Sequence, residues 1–274
     1  MRALKQSLDF YLDASVHVAL SVVALIDITA RFFNLGQDEH LSYFMFFATI
    51  VCYNFIKYGI EARKYFFVSN SYHRYIQVFS FIAGIFGAYH AYFLEREVWI
   101  TLVLLTVLIG LYALPVLPHA RNLRNLGILK VLMVAFVWAG VTVILPVVSS
   151  GLPLGWDIQV EAGQRMIVIL VLMIPFEIRD MFIDQPALKT LPQRLGVRGS
   201  RWLGILLSVI FVLATFFKDA YTATELYSKI IFAVLLVLVM WLTREKQSEY
   251  FASFWVELTP LVWWAILLIL GQLI

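Results

Sequence analysis

The chain has 274 residues, of which 62% are hydrophobic and 14% are charged, and its mean hydropathy is +0.85. A soluble domain is nearer half apolar and a quarter charged, so this composition predicts a polytopic membrane protein. The net charge of +3 is too small to indicate nucleic-acid binding, and a single cysteine excludes an intramolecular disulfide.

The apolar stretches are spaced as bilayer-spanning helices, each of which needs about 20 mostly apolar residues. Residues 1–13 precede them as a short amphipathic lead-in, because Asp9 and Asp13 interrupt what would otherwise resemble a signal peptide. The connections are short, and the ten-residue alternation of a membrane β-barrel is absent. We predict an all-α membrane bundle that forms a single domain over residues 1–274. Its nine spans are predicted at roughly 14–33, 41–62, 74–94, 97–117, 127–149, 162–179, 202–218, 226–243 and 253–274.

Lysine and arginine are distributed unequally between the two ends of these spans. Sixteen fall on the side of the N-terminus and five on the other side. Because cytoplasmic loops are enriched in Lys and Arg, this asymmetry predicts a cytoplasmic N-terminus and an external C-terminus. We expect a multi-pass protein of a bacterial inner membrane, with its polar cap in the cytoplasm.

A polar stretch follows the sixth predicted span. If the helix continues to Gln185, where Pro186 ends it, then Glu177, Asp180 and Asp184 fall within about 60° of arc on one face. Carboxylates in such a group suit Mg²⁺, which completes its shell with water and substrate phosphates. The spacing therefore makes this a candidate metal site.

The loop after these acids supplies basic side chains. Lys189 and Arg194 are placed where they can bind an anionic group. An alternative is an interfacial helix end, where the acids pair with Arg179 and neighbouring arginines. The spacing alone leaves both interpretations open.

The segment "RDMFIDQPALKTLPQRLG" resembles the second aspartate-rich motif of the UbiA-type membrane prenyltransferases, in which D-x-x-x-D precedes T-L-P-x-x-L-G. The residues in register are Asp180, Asp184, Lys189, Thr190, Leu191, Pro192, Leu195 and Gly196. The segment "LYALPVLPHARNLR" resembles the basic stretch after helix 4 of that family, with Arg121 and Arg124 as matches. The helix count and the position after the sixth span also agree with the family.

The resemblance implies an enzyme that transfers an isoprenyl group from a prenyl diphosphate to an aromatic or lipid acceptor and releases diphosphate. Mg²⁺ would bridge aspartates on helices 2 and 6 to the diphosphate. Asp180 and Asp184 would then be catalytic metal ligands. The expected diphosphate contacts are Arg121, Arg124, Lys189 and Arg194.

The first aspartate motif of the family, N-D-x-x-D-x-x-x-D, is altered in this chain. Asn54 is present, but the three aspartate positions hold Phe55, Tyr58 and Ala62. Glu61 lies seven residues after Asn54, about 20° away on a helix, and would join it as a metal ligand. Alternatively, Lys57 neutralises the diphosphate directly, or it pairs with Glu61.

Two functions follow from these patterns. The first is a membrane prenyltransferase with an isoprenyl diphosphate and a hydrophobic acceptor as partners. The alternative is a catalytically inactive homologue that binds an isoprenoid lipid or scaffolds a membrane complex. A transporter ranks third, because its polar residues would be expected in broken helices at mid-membrane rather than at one face. The sequence leaves the oligomeric state open.

Overall fold

The computed structural model describes residues 2–36, 38–60, 71–113, 127–183 and 188–273, and every regular element in these ranges is helical. Short π-helical segments extend or interrupt three helices at Phe55–Ile60, Gly140–Ile144 and Phe251–Val256. The α-helices are α1 Arg2–Asp13, α2 Val16–Phe32, α3 Glu39–Asn54, α4 Ser71–Ala91, α5 Arg96–Ala113, α6 Ile128–Ala139, α7 Leu145–Ser149, α8 Trp156–Asp180, α9 Leu191–Leu213, α10 Ala223–Leu242 and α11 Thr259–Leu273.

The predicted all-helical class is confirmed, and each predicted span coincides with a helix in the described residues. Within those residues, six helical runs are long and apolar enough to cross a membrane, and a seventh is formed if α1 and α2 are joined across a 59° bend. The count of nine spans is therefore not confirmed. The lead-in is present as α1.

The core is built around α8, which contributes Val168, Val171 and Ile178, all fully buried. Aromatic side chains from neighbouring helices complete it. The Trp263 ring of α11 stacks on the Phe232 ring of α10, with centroids 4.4 Å apart and planes 6° from parallel. Burial of such rings removes a large apolar area from solvent and fixes the position of α8.

Close approach of α9 to α10 depends on a glycine. A Cβ atom at Gly204 would collide with the side chain of Met240 on α10. Small residues at such contacts let helix backbones approach and gain dispersion contacts in a bilayer. This packing holds α9 and α10 against α8.

The two ends of α8 lie at opposite faces of the bundle. At the Asp180 end, Tyr250 donates a hydrogen bond of 2.5 Å to Asp9 of α1, so this face brings together the first helix and the approach to the last. We call it the N-terminal face. The Trp156 end of α8 meets the loop between α9 and α10, where Trp156 Nε1 donates to the Phe217 carbonyl at 2.7 Å.

Candidate functional site

A cavity of about 350 Å³ lies between α2, α3, α6, α8 and the π-helical segment before α11. Its walls are mostly apolar and include Val134, Val137 and Trp138 of α6. Its charged lining residues all belong to helix ends at the N-terminal face: Lys130, Glu177, Asp180 and Glu257. We call this space the central cavity, and its shape suits a ligand with one apolar and one polar end.

A second cavity of about 620 Å³ opens beside α1, and we call it the vestibule. It has a polar lining, in which Lys57 and Arg179 supply cations and Asp13 supplies a carboxylate. The vestibule and the central cavity meet, because they share four lining residues: Val18, Tyr53, Phe176 and Glu257.

A third space of about 510 Å³, the lateral groove, runs between α3 and α5. Cys52, Tyr53, Val137 and Trp138 line both the groove and the central cavity. The Trp138 indole donates a 3.0 Å hydrogen bond to the Tyr53 hydroxyl at this junction. The central cavity and the lateral groove thus form one apolar region, which opens into the polar vestibule. We call this opening the polar mouth.

Ion pairs surround the polar mouth. Lys130 is 2.5 Å from Glu177, and both side chains are largely buried. Arg179 donates two hydrogen bonds to the Asp180 carboxylate, at 2.7 and 3.1 Å, and more than a third of each side chain is exposed. The exposed pair is more weakly held, since water screens it.

Two of the predicted acids are brought together, since Glu177 and Asp180 line the central cavity. Lys57 lies in the vestibule, 3.2 Å from Asp13. The Tyr58 hydroxyl donates to the Asp13 carbonyl at 3.2 Å. Four predicted site residues lie outside the described residues: Glu61, Arg121, Arg124 and Asp184.

Asn54 lies apart from these acids and lines neither the central cavity nor the vestibule. Its amide oxygen accepts from the Ser15 hydroxyl at 2.8 Å. Its amide nitrogen donates to the Ala14 carbonyl at 3.1 Å and to Ser80 at 2.9 Å. These bonds join α3 to the start of α2 and to α4.

The predicted continuation of α8 to Gln185 is wrong, because α8 ends at Asp180. The Ile183 amide donates to the Asp180 carbonyl at 2.9 Å, which is the bond of a turn and not of an α-helix. The exposed side chains of Phe182 and Ile183 belong to this turn. The predicted helix face is therefore interrupted after Asp180, and Asp184 lies outside the described residues.

Lys189 and Arg194, the predicted diphosphate contacts, are both exposed, and neither lines the central cavity or the vestibule. Lys189 has φ +49°, and its carbonyl accepts a 3.0 Å hydrogen bond from Arg194 Nε. The side chain of Gln193 accepts from the Thr190 amide at 3.0 Å, which caps the start of α9.

The described residues alone do not complete the expected magnesium site, and two of its predicted ligands, Glu61 and Asp184, lie outside them. The described residues contain no group of three His, Cys, Asp or Glu side chains close enough to hold a metal ion. Both carboxylate oxygens of Asp180 accept hydrogen bonds from Arg179.

A buried charge network, missed at the sequence level, occupies the Trp156 end of α8. Lys229 Nζ lies 2.7 Å from both Glu161 and Glu225, and Lys218 Nζ lies 2.8 and 2.5 Å from the same two carboxylates. Arg165 lies 3.4 Å from Glu161 and donates to the Leu25 carbonyl at 3.0 Å. All five side chains are at most 2% exposed.

This network corrects the sequence-based placement of three basic residues. Arg165, Lys218 and Lys229 were counted as charges on the external side of the membrane, but their side chains lie inside the bundle. The carboxylates of Glu161 and Glu225 offset the cost of burying the Lys218 ammonium group. The i, i+4 spacing of Glu161 and Arg165, and of Glu225 and Lys229, was the signal that could have identified the network.

Comparison with known proteins gives a fold but no sequence relative. No family model matches the chain, and no curated protein matches it. Digeranylgeranylglyceryl phosphate synthase is 17% identical, with a TM-score of 0.55 over 98% of this chain and 97% of that chain. A UbiA homologue from Archaeoglobus fulgidus bound to Cd²⁺ is 11% identical, with a TM-score of 0.60 over 96% of this chain and 98% of that one. A further structure of a UbiA homologue from that organism gives 0.56 at 11% identity, over 96% and 99%. From end to end, this chain therefore has the fold of the UbiA homologues.

Proposed function

We propose that this protein is a membrane prenyltransferase, which moves an isoprenyl group from a prenyl diphosphate to a hydrophobic acceptor and releases diphosphate. The observation that carries the proposal is the junction of an apolar cavity with a vestibule that contains Lys57 and Arg179. Its fold is shared with digeranylgeranylglyceryl phosphate synthase, whose name describes a glyceryl phosphate that carries two geranylgeranyl groups.

The apolar spaces suit the donor's hydrocarbon tail. The central cavity and the lateral groove are continuous at Tyr53, Val137 and Trp138, and their combined walls come from α2, α3, α5, α6 and α8. A prenyl chain placed there replaces water at an apolar surface, which is favourable by about 25 cal/mol per Å² buried. The diphosphate then lies at the N-terminal face.

The cations at the mouth are placed to bind the diphosphate. Arg179 presents a planar guanidinium, which binds phosphate oxygens through two parallel hydrogen bonds. Lys57 and Lys130 supply further positive charge from α3 and α6. As the allylic C–O bond breaks, charge accumulates on the leaving diphosphate, and fixed cations stabilise that charge.

Magnesium belongs to the proposal as a cofactor to be tested. The described lining of the vestibule and the central cavity holds six carboxylates and four cations. The carboxylates are Asp9, Asp13, Glu177, Asp180, Glu249 and Glu257, and the cations are Lys5, Lys57, Lys130 and Arg179. Because carboxylates repel an anion, this excess of acidic residues favours a diphosphate that binds together with a metal cation. One structural neighbour binds Cd²⁺. Asp184 and Glu61 remain the predicted additional ligands.

We propose that the N-terminal face is cytoplasmic, in a bacterial inner membrane. Removing the three interior residues Arg165, Lys218 and Lys229 from the external set leaves only Arg31 and Arg96 there, against sixteen basic residues on the other side. This stronger asymmetry supports the orientation. Water-soluble diphosphate would then leave through the vestibule into the cytoplasm.

Diphosphate release from the purified protein in detergent tests the proposed reaction. Geranyl to polyprenyl diphosphates are supplied with a panel of phenolic, quinol and lipid acceptors, in Mg²⁺, in Mn²⁺ and in EDTA. We expect diphosphate and a prenylated product in equal amounts. The absence of both with every pair, in protein shown to be folded by its melting transition, would contradict the proposal.

The second candidate, a non-catalytic isoprenoid-binding protein, is favoured by one observation. Asn54 makes three structural hydrogen bonds, and Asp180 is held by Arg179, so neither side chain is free to take the family's metal-binding role. This candidate predicts that Mg²⁺ with diphosphate gives no thermal stabilisation. Stabilisation of the wild type that disappears in Asp180→Ala would contradict it.

A further inference from the structure

Glu257 lies where the vestibule meets the central cavity and lines both. Its side chain is half-buried, and within the described part of the chain no hydrogen bond or ion pair reaches its carboxylate. Glu177 and Asp180 differ from it, because each is in contact with a cation. Glu257 thus presents its carboxylate to the cavity.

The backbone holds Glu257 at a break in the last span. The π-helical segment Phe251–Val256 ends immediately before it, and α11 starts two residues later. Pro260 has no N–H for the Val256 carbonyl four residues earlier, which instead accepts a 2.8 Å hydrogen bond from the Thr259 hydroxyl. Such π-helical turns are frequent at functional sites.

A second helix fixes the same position. The Ser21 hydroxyl of α2 donates a 2.7 Å hydrogen bond to the Glu257 carbonyl. The Glu257 backbone is therefore fixed by its own helix break and by α2. A carboxylate on a fixed backbone can discriminate between ligands, because it needs little reorganisation to accept a hydrogen bond.

The surroundings of Glu257 favour a hydrogen-bond donor as its partner. Lys57 and Arg179 line the vestibule on one side of it. Val18, Val256 and Phe176 form apolar walls on the cavity side. A ligand whose apolar part enters the cavity would bring its hydroxyl group to this carboxylate, to which no described residue donates a hydrogen bond.

We propose that Glu257 binds the hydroxyl group of the acceptor substrate and takes its proton during transfer, so that the acceptor is an alcohol or phenol with an apolar body. In this step the allylic C–O bond of the donor breaks and its electron pair leaves with the diphosphate. The acceptor oxygen forms the new bond to the allylic carbon, and its proton passes to Glu257 and then to water in the vestibule. This role deepens the proposed prenyl transfer and rests on it.

Equilibrium binding tests the proposal without any need for turnover. The probes are 4-dodecylphenol and 4-dodecylanisole, which differ in one O–H group, and binding is measured by calorimetry on protein in nanodiscs. We expect the wild type to bind the phenol about tenfold to a hundredfold more tightly, the usual range for a hydrogen bond to a charged group. In Glu257→Leu the two probes should bind equally, and Glu257→Asp should restore part of the difference.

Glu245→Gln is the matched control, because Glu245 is an exposed carboxylate that lines neither the vestibule nor the central cavity. It should keep the wild-type preference. Equal binding of the two probes by wild type, no binding of either, or a preference that persists in a folded Glu257→Leu variant would each overturn the proposal. Since none of these outcomes depends on diphosphate release, they are distinguishable from failure of the proposed reaction.

The proton transfer has its own readout in the reaction. Glu257→Gln should lower kcat about 10²-fold, the usual contribution of a general base, and leave the KM for the prenyl diphosphate unchanged. An unchanged kcat would overturn the assignment of Glu257 as the proton acceptor.

Discussion

The two ends of α8 carry charged residues of the same types in opposite settings. Near Trp156, Glu161 and Arg165 belong to a network in which every charged side chain is paired and at most 2% exposed. At the other end, Glu177 and Asp180 face cavities. Every charge of the network has a partner, whereas the mouth retains exposed ion pairs and, at Glu257, a carboxylate that no described residue pairs with.

The contrast separates two uses of charge within one membrane helix. A buried charge is tolerated only when its partners replace the lost water, and removal of one partner then leaves another charge unsatisfied. A charge at a cavity keeps part of its hydration and can exchange a protein partner for a ligand. We therefore expect substitutions in the network to lower stability, and substitutions at the mouth to lower binding and turnover.

Lys229→Met should break the network and give the largest effect. Glu161, Gln164 and Glu225 would each lose a hydrogen bond from Nζ. The expected loss is about 3–5 kcal/mol of unfolding free energy, measured by denaturant titration in detergent. Lys57→Met at the mouth is the control, with at most about 1 kcal/mol expected. Equal losses in the two variants would refute the distinction.

Arg179→Met should damage function and spare stability. We expect kcat/KM to fall about 10²-fold, or about 2.7 kcal/mol, because a preorganised donor to the leaving group is removed. The melting temperature should change little, since the pair with Asp180 is exposed. Lys189→Met serves as the comparison and tests the predicted phosphate contact. A larger loss in that variant would place the diphosphate outside the vestibule.

Val137→Trp should narrow the apolar region behind the mouth. Val137 lines both the central cavity and the lateral groove. We expect affinity for a 20-carbon prenyl diphosphate to fall about tenfold, or about 1.4 kcal/mol, and for a 10-carbon one to fall less. Leu132→Trp, at an exposed position of α6, is the matched control. Equal effects on both donors would show that the tail binds elsewhere.

Tyr250 gives the smallest effect, confined to high pH. Its hydrogen bond to Asp9 raises its pKa from 10.0 to about 12. Between these values an unfolded chain releases this proton while the folded chain keeps it, so stability should fall as pH rises through that window. Below pH 10 Tyr250 contributes no pH dependence. Ultraviolet titration of the wild type and of Tyr250→Phe measures the difference, because the substitution should remove the tyrosine that titrates near pH 12. Removal of a tyrosine that titrates near pH 10 would contradict the prediction.

Hydropathy was sufficient to predict the helices, because the chain must satisfy its backbone within each span. The resemblance of residues 179–196 to a family motif led to the same fold as the structural neighbours. The end of α8 was misplaced by five residues. The sequence pattern extended the helix to Gln185, but a hydrogen-bonded turn begins directly after Asp180.

The site was harder to predict, because its partners are distant in sequence. Ser21 and Glu257 are 236 residues apart, and Lys130 and Glu177 come from different helices. Local spacing identified Glu177 and Asp180 on one helix. It could not indicate that the Asn54 side chain would form hydrogen bonds with Ser15 and Ser80. Contacts between helices depend on how the helices pack, whereas the helical period of a sequence shows only which residues share a face of one helix.

The hydrogen bond between Asp9 and Tyr250 joins residues 241 positions apart. Its consequence concerns the order of assembly during synthesis, since domains of a growing chain form from the N-terminus onward. The buried charge network has all its members once Lys229 has been made, whereas the vestibule lacks a wall until Tyr250 and Glu257 follow. A nascent chain released before its final span would therefore contain the stabilising part of the molecule without the part that binds ligand.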